Sequence, residues 1–254
     1  RQEDTLLDVA RRHSLGYEEI TKSNPGVDPW MPGAGTTVTL PKQRILPAAP
    51  REGIVVNLPE HRLYYFAPAA NGEAPVVHTY PVAIGKMDWN TPLGVTRITQ
   101  KVKNPTWTPP KSVPDNPLGH RAMRLGIPGG AYLIHGTNRP AGIGMQATAG
   151  CMRLYPEDIE RLFDLVPVDT RVNIVNQPFK LGWLDGQLYV EVHPGLQEDA
   201  VEPPQLTDLT RLIVEATRER MVLVDWTRVQ RAFAEARGMP VLVSAGLAMM
   251  AKGE

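Results

Sequence analysis

The chain has a single cysteine, Cys151. An internal disulfide is therefore excluded, and the leftover thiol becomes a candidate for reactivity. No apolar run approaches the roughly twenty residues needed to cross a bilayer, so no membrane span is expected. An excess of one charge is missing too: 27 Lys and Arg offset 27 Asp and Glu. That balance removes the electrostatic basis for nucleic-acid binding. His13, His61, His78, His120 and His193 are scattered without the paired spacing of HExxH, so no metal site is expected. A glycine-rich phosphate cradle and a serine elbow are also lacking, and no cofactor is expected.

The chain does have 25 prolines and 22 glycines. Such a turn-rich composition favours β structure with many loops, and 254 residues suit two or three soluble domains. The first residue is Arg1, which reads as a processed chain whose secretory signal has been removed.

The chemistry concentrates between Tyr132 and Leu154, YLIHGTNRPAGIGMQATAGCMRL. The apolar run Tyr132-Leu133-Ile134 reads as a strand ending at His135. Cys151 follows sixteen positions later, after a loop holding Gly142, Gly144 and Gly150. A strand-end histidine facing a cysteine on a glycine-rich turn suits a nucleophile and its base. A free thiol titrates near pH 8.5, so a neighbouring imidazole is needed to take its proton and leave an ion pair. No aspartate lies near His135 in sequence, and a backbone carbonyl around Gly136-Thr137 is the expected orienting acceptor. Gly150 has no side chain, which lets a substrate carbonyl approach the Gly150 and Cys151 amides as an oxyanion hole. The plainer alternative is a cysteine buried as a small hydrophobe beside a satisfied core histidine. Spacing alone supports acyl transfer or hydrolysis at a thiol.

The segments IHGTN and TAGCMRLYPEDIERLF, with NTPLGVTRITQKVKNPTWTPP and NPLGHRAMRLG upstream, resemble the L,D-transpeptidase catalytic domain (the YkuD family) of bacterial cell-wall enzymes. The resemblance covers roughly residues 52–176. It implies Cys151 as nucleophile and His135 as general base, with Gly150, Gly136, Thr148 and Arg153 around oxyanion and substrate. Many members carry Ser-His-Gly-Cys where this chain has Thr148-Ala149-Gly150-Cys151, which leaves His135 alone as base. The implied substrate is the tetrapeptide stem of peptidoglycan, cut between its diamino acid and terminal D-alanine through a thioester. The implied acceptor is an amine: another stem, an outer-membrane lipoprotein lysine or a free D-amino acid. The resemblance also implies the periplasm of a Gram-negative bacterium and acylation of Cys151 by carbapenems. A hydrolase of the same linkages and a non-catalytic wall-binding adaptor are the alternatives.

Along the chain, residues 1–41 form a small unit. Asp4-Thr5 caps a helix with Leu6, Val9 and Ala10 at helical spacing, a second apolar turn surrounds Ile20, and Thr37–Leu40 reads as a strand. DTLLDVARR, ITKSNPGV and PGAGTTVTLP resemble a LysM repeat, which implies binding to peptidoglycan glycan strands. Residues 42–51 are a proline-rich linker. Strands are predicted at Ile54–Leu58, Arg62–Phe66, Val76–Ile84, Thr96–Lys103 and Arg171–Val175. The loops Gly85–Gly94 and Asn104–Pro117, carrying Trp89 and Trp107, read as walls or lids over the site. Pro156 opens a helix striped by Ile159, Leu162, Phe163 and Val166. Residues 177–254 form a C-terminal α/β subdomain: a strand Gln187–Val192, two amphipathic helices, a short strand Val241–Val243 and a frayed tail. The predicted class is α+β, with a mainly β catalytic domain resembling a YkuD-like β-sandwich. Arg121, Arg124, Arg139 and Arg153 gather in sequence around the pair, where guanidinium groups suit a peptide carboxylate.

Overall fold

The structure is a computed structural model that describes residues 4–69, 76–86, 89–107, 116–196 and 202–246. In the N-terminal unit, helix α1 (Leu6–Arg12) starts at Thr5, whose hydroxyl accepts the Asp8 amide while the Asp8 carboxylate accepts the Thr5 amide. This reciprocal box satisfies amides that have no partner inside the helix. Helix α2 (Tyr17–Ser23) follows, and Leu6, Ala10, Leu15 and Ile20 make a small core. The strand expected at Thr37–Leu40 is not formed. The segment runs outside any ladder, and the Asn24 side chain bonds both the amide and the carbonyl of Thr39, at 2.7 and 2.9 Å. One asparagine thus does for this backbone what a partner strand would have done.

The catalytic region contains β1 (Gly53–Asn57), β2 (Arg62–Phe66), β3 (Val77–Pro81), β4 (Ile84–Gly85), β5 (Gly94–Lys103), β6 (Arg121–Leu125), β7 (Leu133–His135), β8 (Gln146–Thr148), β9 (Met152–Arg153), α3 (Pro156–Leu165) and β10 (Arg171–Val175). Eight of these strands form one sheet in the order β3-β2-β1-β10-β5-β6-β7-β9. The first part of β5 pairs with β10 and the rest with β6, with a break in register between Ile98 and Gln100. An irregularity of this kind bends a sheet. Ile54, Val56 and Leu63 from one half meet Met123, Leu125, Ile134 and Met152 from the other, together with Ile159, Leu162 and Phe163 of α3. The two layers expected of a sandwich are therefore halves of one bent sheet.

Two strand assignments change. Val76–Ile84 is not one strand: the hairpin ends at Pro81, which has no amide to donate. Val82 then bonds the His61 carbonyl, Ala83 bridges to Arg153, and β4 pairs in parallel with β8. The chain thereby leaves its hairpin for the cysteine strand. Arg121–Leu125, which is not among the predicted strands, is strand β6, with its two arginines interrupting the apolar pattern.

Beyond β10 lie β11 (Phe179–Leu184), β12 (Gln187–Val192), α4 (Leu206–Thr217), β13 (Val222–Val224), α5 (Trp226–Glu235), β14 (Val241–Leu242) and β15 (Ser244–Gly246). β11, β12 and β14 make one sheet, β13 and β15 a second. Phe179, Leu188, Val190, Leu209, Ile213 and Val229 form a separate core. Ser244–Gly246, expected to fray, is paired with β13, while residues 247–254 of that tail lie outside the described residues. Helix α5 ends where Ala236 turns left-handed, two residues before Gly238. On α4, Leu209 and Ile213 are the buried anchors, while Leu212 is 45% exposed.

The three parts are joined by buried ions. Arg62, 1% exposed, bonds the Glu19 carboxylate twice and the Ser14 carbonyl once, and Arg44 reaches the same carboxylate. Burial pushes Glu19 up, but the two arginines outweigh it and hold the group below its ordinary pKa. The amides of Tyr17 and Glu18, unpaired within their own helix, donate to the carbonyls of Ile143 and Gly144. On the other side, the Lys180 ammonium lies 2.8 Å from Glu60, 2.6 Å from Glu191 and 2.6 Å from the Ile45 carbonyl. The linker is thus fastened to both neighbours.

Candidate active site

Strands β7 and β9 run parallel, with Ile134 opposite Met152 and His135 opposite Arg153. Ile134 and Met152 are fully buried in the core, and alternation turns the residues flanking them to the other face. His135 ends β7 and Cys151 immediately precedes β9, so the register brings the two residues to adjacent chains of the sheet.

The His135 ring is 2% exposed, and its Nδ1 lies 2.6 Å from the Gly136 carbonyl. A proton on Nδ1 leaves Nε2 as the basic nitrogen. Burial, reinforced by the charge of Arg153, lowers the ring to about 4, against the carbonyls of Gly136 and Leu118 that favour the protonated form. Gly136 is confined as well: a Cβ there would lie 3.2 Å from the Ile159 side chain.

Cys151 is half-buried and forms no disulfide. Burial raises its pKa, against a hydrogen bond from the Leu133 backbone and the charge of Arg153. Its Sγ lies 3.6 Å from the Ala131 carbonyl. Among the described residues no hydrogen bond joins Cys151 to His135 directly. The resting pair is therefore a neutral thiol and a neutral imidazole, in place of the ion pair expected from sequence.

The turn before the cysteine requires glycine. Gly150 has φ +90°, and a Cβ there would lie 2.9 Å from the Tyr132 ring and 3.2 Å from the Asn90 carbonyl. Thr148, 2% exposed, donates its hydroxyl hydrogen to the Cys151 carbonyl. Thr91, 4% exposed, donates to the Gly150 carbonyl at 3.0 Å and accepts the Gly85 amide at 3.0 Å. Neither Tyr132 nor Thr91 stands out in the sequence as a site residue. The available signal for Thr91 was the NTPLG segment.

The four arginines separate. Arg153 is half-buried, its Nε has no partner among the described residues, and Arg139 lies within electrostatic reach of it. Arg121 instead stacks on the Phe163 ring at 5.6 Å, and Arg124 is exposed on β6. His120 is exposed and, with Asn104, Asn116, Thr137 and Glu160, lines a cleft of about 520 Å³ that backs onto Gly136. Trp89 is 58% exposed, while residues 108–115 of the second expected lid lie outside the described residues. Away from the site, Glu60, Glu191 and His193 approach one another within metal-ligand range. Lys180 already occupies the cation position between the two carboxylates.

A family profile described as the L,D-transpeptidase catalytic domain (YkuD) matches residues 51–174. The probable L,D-transpeptidase YcfS of Escherichia coli (strain K12) is 41% identical over 258 residues, spanning 93% of this chain and 79% of the relative. The probable L,D-transpeptidase ErfK/SrfK of the same strain is 36% identical over 272 residues, spanning 96% and 84%. YbiS, another probable L,D-transpeptidase of that strain, is 35% identical over 254 residues, spanning 91% and 81%.

Proposed function

This chain belongs to the L,D-transpeptidase family and is an acyltransferase of peptidoglycan cross-linking or attachment; on that premise we propose that Cys151 is its nucleophile and His135 its general base. As the sulfur attacks the carbonyl between the stem's diamino acid and its terminal D-alanine, the thiol proton passes to Nε2 of His135. The Gly150 and Cys151 amides hold the oxyanion. Collapse breaks the C–N bond, His135 returns its proton to the departing amine, and a thioester remains on Cys151. An acceptor amine then attacks the thioester and gives a proton to His135; collapse breaks the C–S bond, completes the new amide, and the imidazolium returns that proton to the leaving thiolate. Arg153, half-buried beside Cys151, is the cation for a stem carboxylate. The observation that carries the reading is the β7–β9 register, with a buried neutral histidine one strand from the chain's cysteine.

The N-terminal unit is read as LysM-like and glycan-binding. Its support is the pair of short helices and the 58% exposed Trp30, which lines a cleft with Thr5 and Asp8. On this reading the work is done in the periplasm, with a lipoprotein lysine as one acceptor. No described helix is long and apolar enough to cross a membrane.

Purified tetrapeptide stems incubated with an amine acceptor test the reading by product mass. The native chain is expected to release D-alanine and join stem to acceptor, and Cys151→Ala to do neither. Turnover retained by Cys151→Ala refutes the assignment, and a product lacking the acceptor assigns a hydrolase.

A further inference from the structure

We propose that Thr91 is a positioning residue for the oxyanion hole, holding the peptide between Gly150 and Cys151 in its donating orientation. The inference rests on the reading of Cys151 as nucleophile and adds a group from a distant loop to it. A trans peptide is planar, so its carbonyl and its N–H point in opposite directions. Whatever fixes the Gly150 carbonyl therefore fixes the Cys151 amide. The Thr91 hydroxyl is that fixture, donating to the Gly150 carbonyl at 3.0 Å.

The arrangement needs a fixture because the residue before the cysteine is glycine at φ +90°. Glycine tolerates both signs of φ, so rotation of the peptide that follows it meets little steric resistance. The hydroxyl is itself oriented: its lone pair accepts the Gly85 amide at 3.0 Å, which leaves its single hydrogen for Gly150. Gly85 admits this loop because it has no Cβ, which would lie 2.2 Å from the Trp89 carbonyl and 2.7 Å from the Thr91 amide. The next peptide is held the same way, by the buried Thr148 hydroxyl on the Cys151 carbonyl. Both peptides flanking the cysteine are thus pinned by buried threonines. The first pin comes from sixty positions upstream (151 − 91).

The test compares two reactions of the same sulfur. Acylation by a carbapenem develops an oxyanion, whereas alkylation by iodoacetamide does not. Thr91→Val keeps the shape and removes the hydroxyl. It is expected to slow carbapenem acylation and kcat about 10- to 100-fold, somewhat less than outright loss of an oxyanion donor. Iodoacetamide alkylation and KM are expected to stay within about twofold, and Thr91→Ser to restore acylation nearly to the native rate. If Thr91→Val does not fold, Thr91→Ser and Thr91→Ala, which differ by one oxygen, give the same comparison. Equal losses in acylation and alkylation, or acylation indifferent to the hydroxyl, overturn the inference. The absence of any carbapenem adduct on Cys151 in the native chain refutes the nucleophile assignment and this inference with it. An adduct that forms at a rate independent of Thr91 refutes this inference alone.

Discussion

At neutral pH the proposed base is ready to accept a proton and the proposed nucleophile still carries one, because burial moves His135 down to about 4 and Cys151 up. The reactive state therefore forms as substrate arrives. Its pH dependence follows from the sign of the His135 shift. A histidine with a depressed pKa stays neutral until the pH falls through that lowered value. Carbapenem acylation should hold level down to about pH 5 and fall near 4, and an acid limb centred at the ordinary 6.5 counts against this assignment. His135→Gln should lower turnover by several orders of magnitude while substrate binding persists. Asp158 is perturbed in the opposite sense. Burial, with the nearby charge of Glu157, raises it from 3.8 to about 6, and its Oδ2 has no partner among the described residues. The folded state then binds more protons than the unfolded between 3.8 and about 6, so stability falls as pH rises through that window. Asp158→Asn should raise the melting temperature at pH 7.5, a gain on the order of 1–2 kcal/mol that shrinks toward pH 4. A gain that persists unchanged at about pH 4 would contradict a buried carboxylate as its origin. His135 and Cys151 could be singled out from sequence because one residue type occurs once and the two flank a glycine loop. Thr91 and Tyr132 could not, since only tertiary structure brings them to the Gly150 turn.

Among the elements, α2 does more than pack its own unit, since its first amides meet the loop that leads to Cys151. Gly144 lies at that contact with φ +82°, and a Cβ there would fall 2.5 Å from both the Gly16 Cα and the Tyr17 nitrogen. Gly144→Ala should cost about 1–3 kcal/mol through backbone strain. It should also slow acylation of Cys151 and open the N-terminal unit to limited proteolysis. A variant with native melting and native acylation would show that the contact does not support the site. The elements also mark where the sequence pattern was readable. α3 was legible from its apolar spacing after Pro156, and β2 from its short run of apolar and aromatic residues. β6 was hidden by Arg121 and Arg124, whose guanidinium groups lie on Phe163 and in solvent. The strand expected at Thr37–Leu40 had the composition of a strand without a neighbour to pair with.

For the whole molecule, the buried apolar side chains fall into separate clusters, one around Leu6 and Ile20, one around Ile54 and Ile134 that also takes in Leu196, and one around Leu188 and Ile213. The ties between them were not legible, because they are ion pairs between residues far apart in sequence. Glu19 meets Arg62, and Lys180 meets Glu60 and Glu191, with every carboxylate buried or nearly so. Lys180→Met removes the cation between two buried carboxylates. The expected loss is about 3–5 kcal/mol, the scale for stranding a buried charge. Calorimetry should show the loss as a lower melting temperature, or as separate melting of the C-terminal subdomain. Unchanged melting would mean that the cluster contributes nothing to the union.

The seam between α2 and the Ile143–Gly144 loop is written in main-chain atoms. Its donors and acceptors are present whatever side chains the positions carry, so it tolerates drift across nearly the whole N-terminal unit. Gly16 and Gly144 are the exceptions, since any added carbon wedges the two backbones apart. A comparison that scores side chains alone would pass over this contact between the first forty residues and the loop that leads to Cys151.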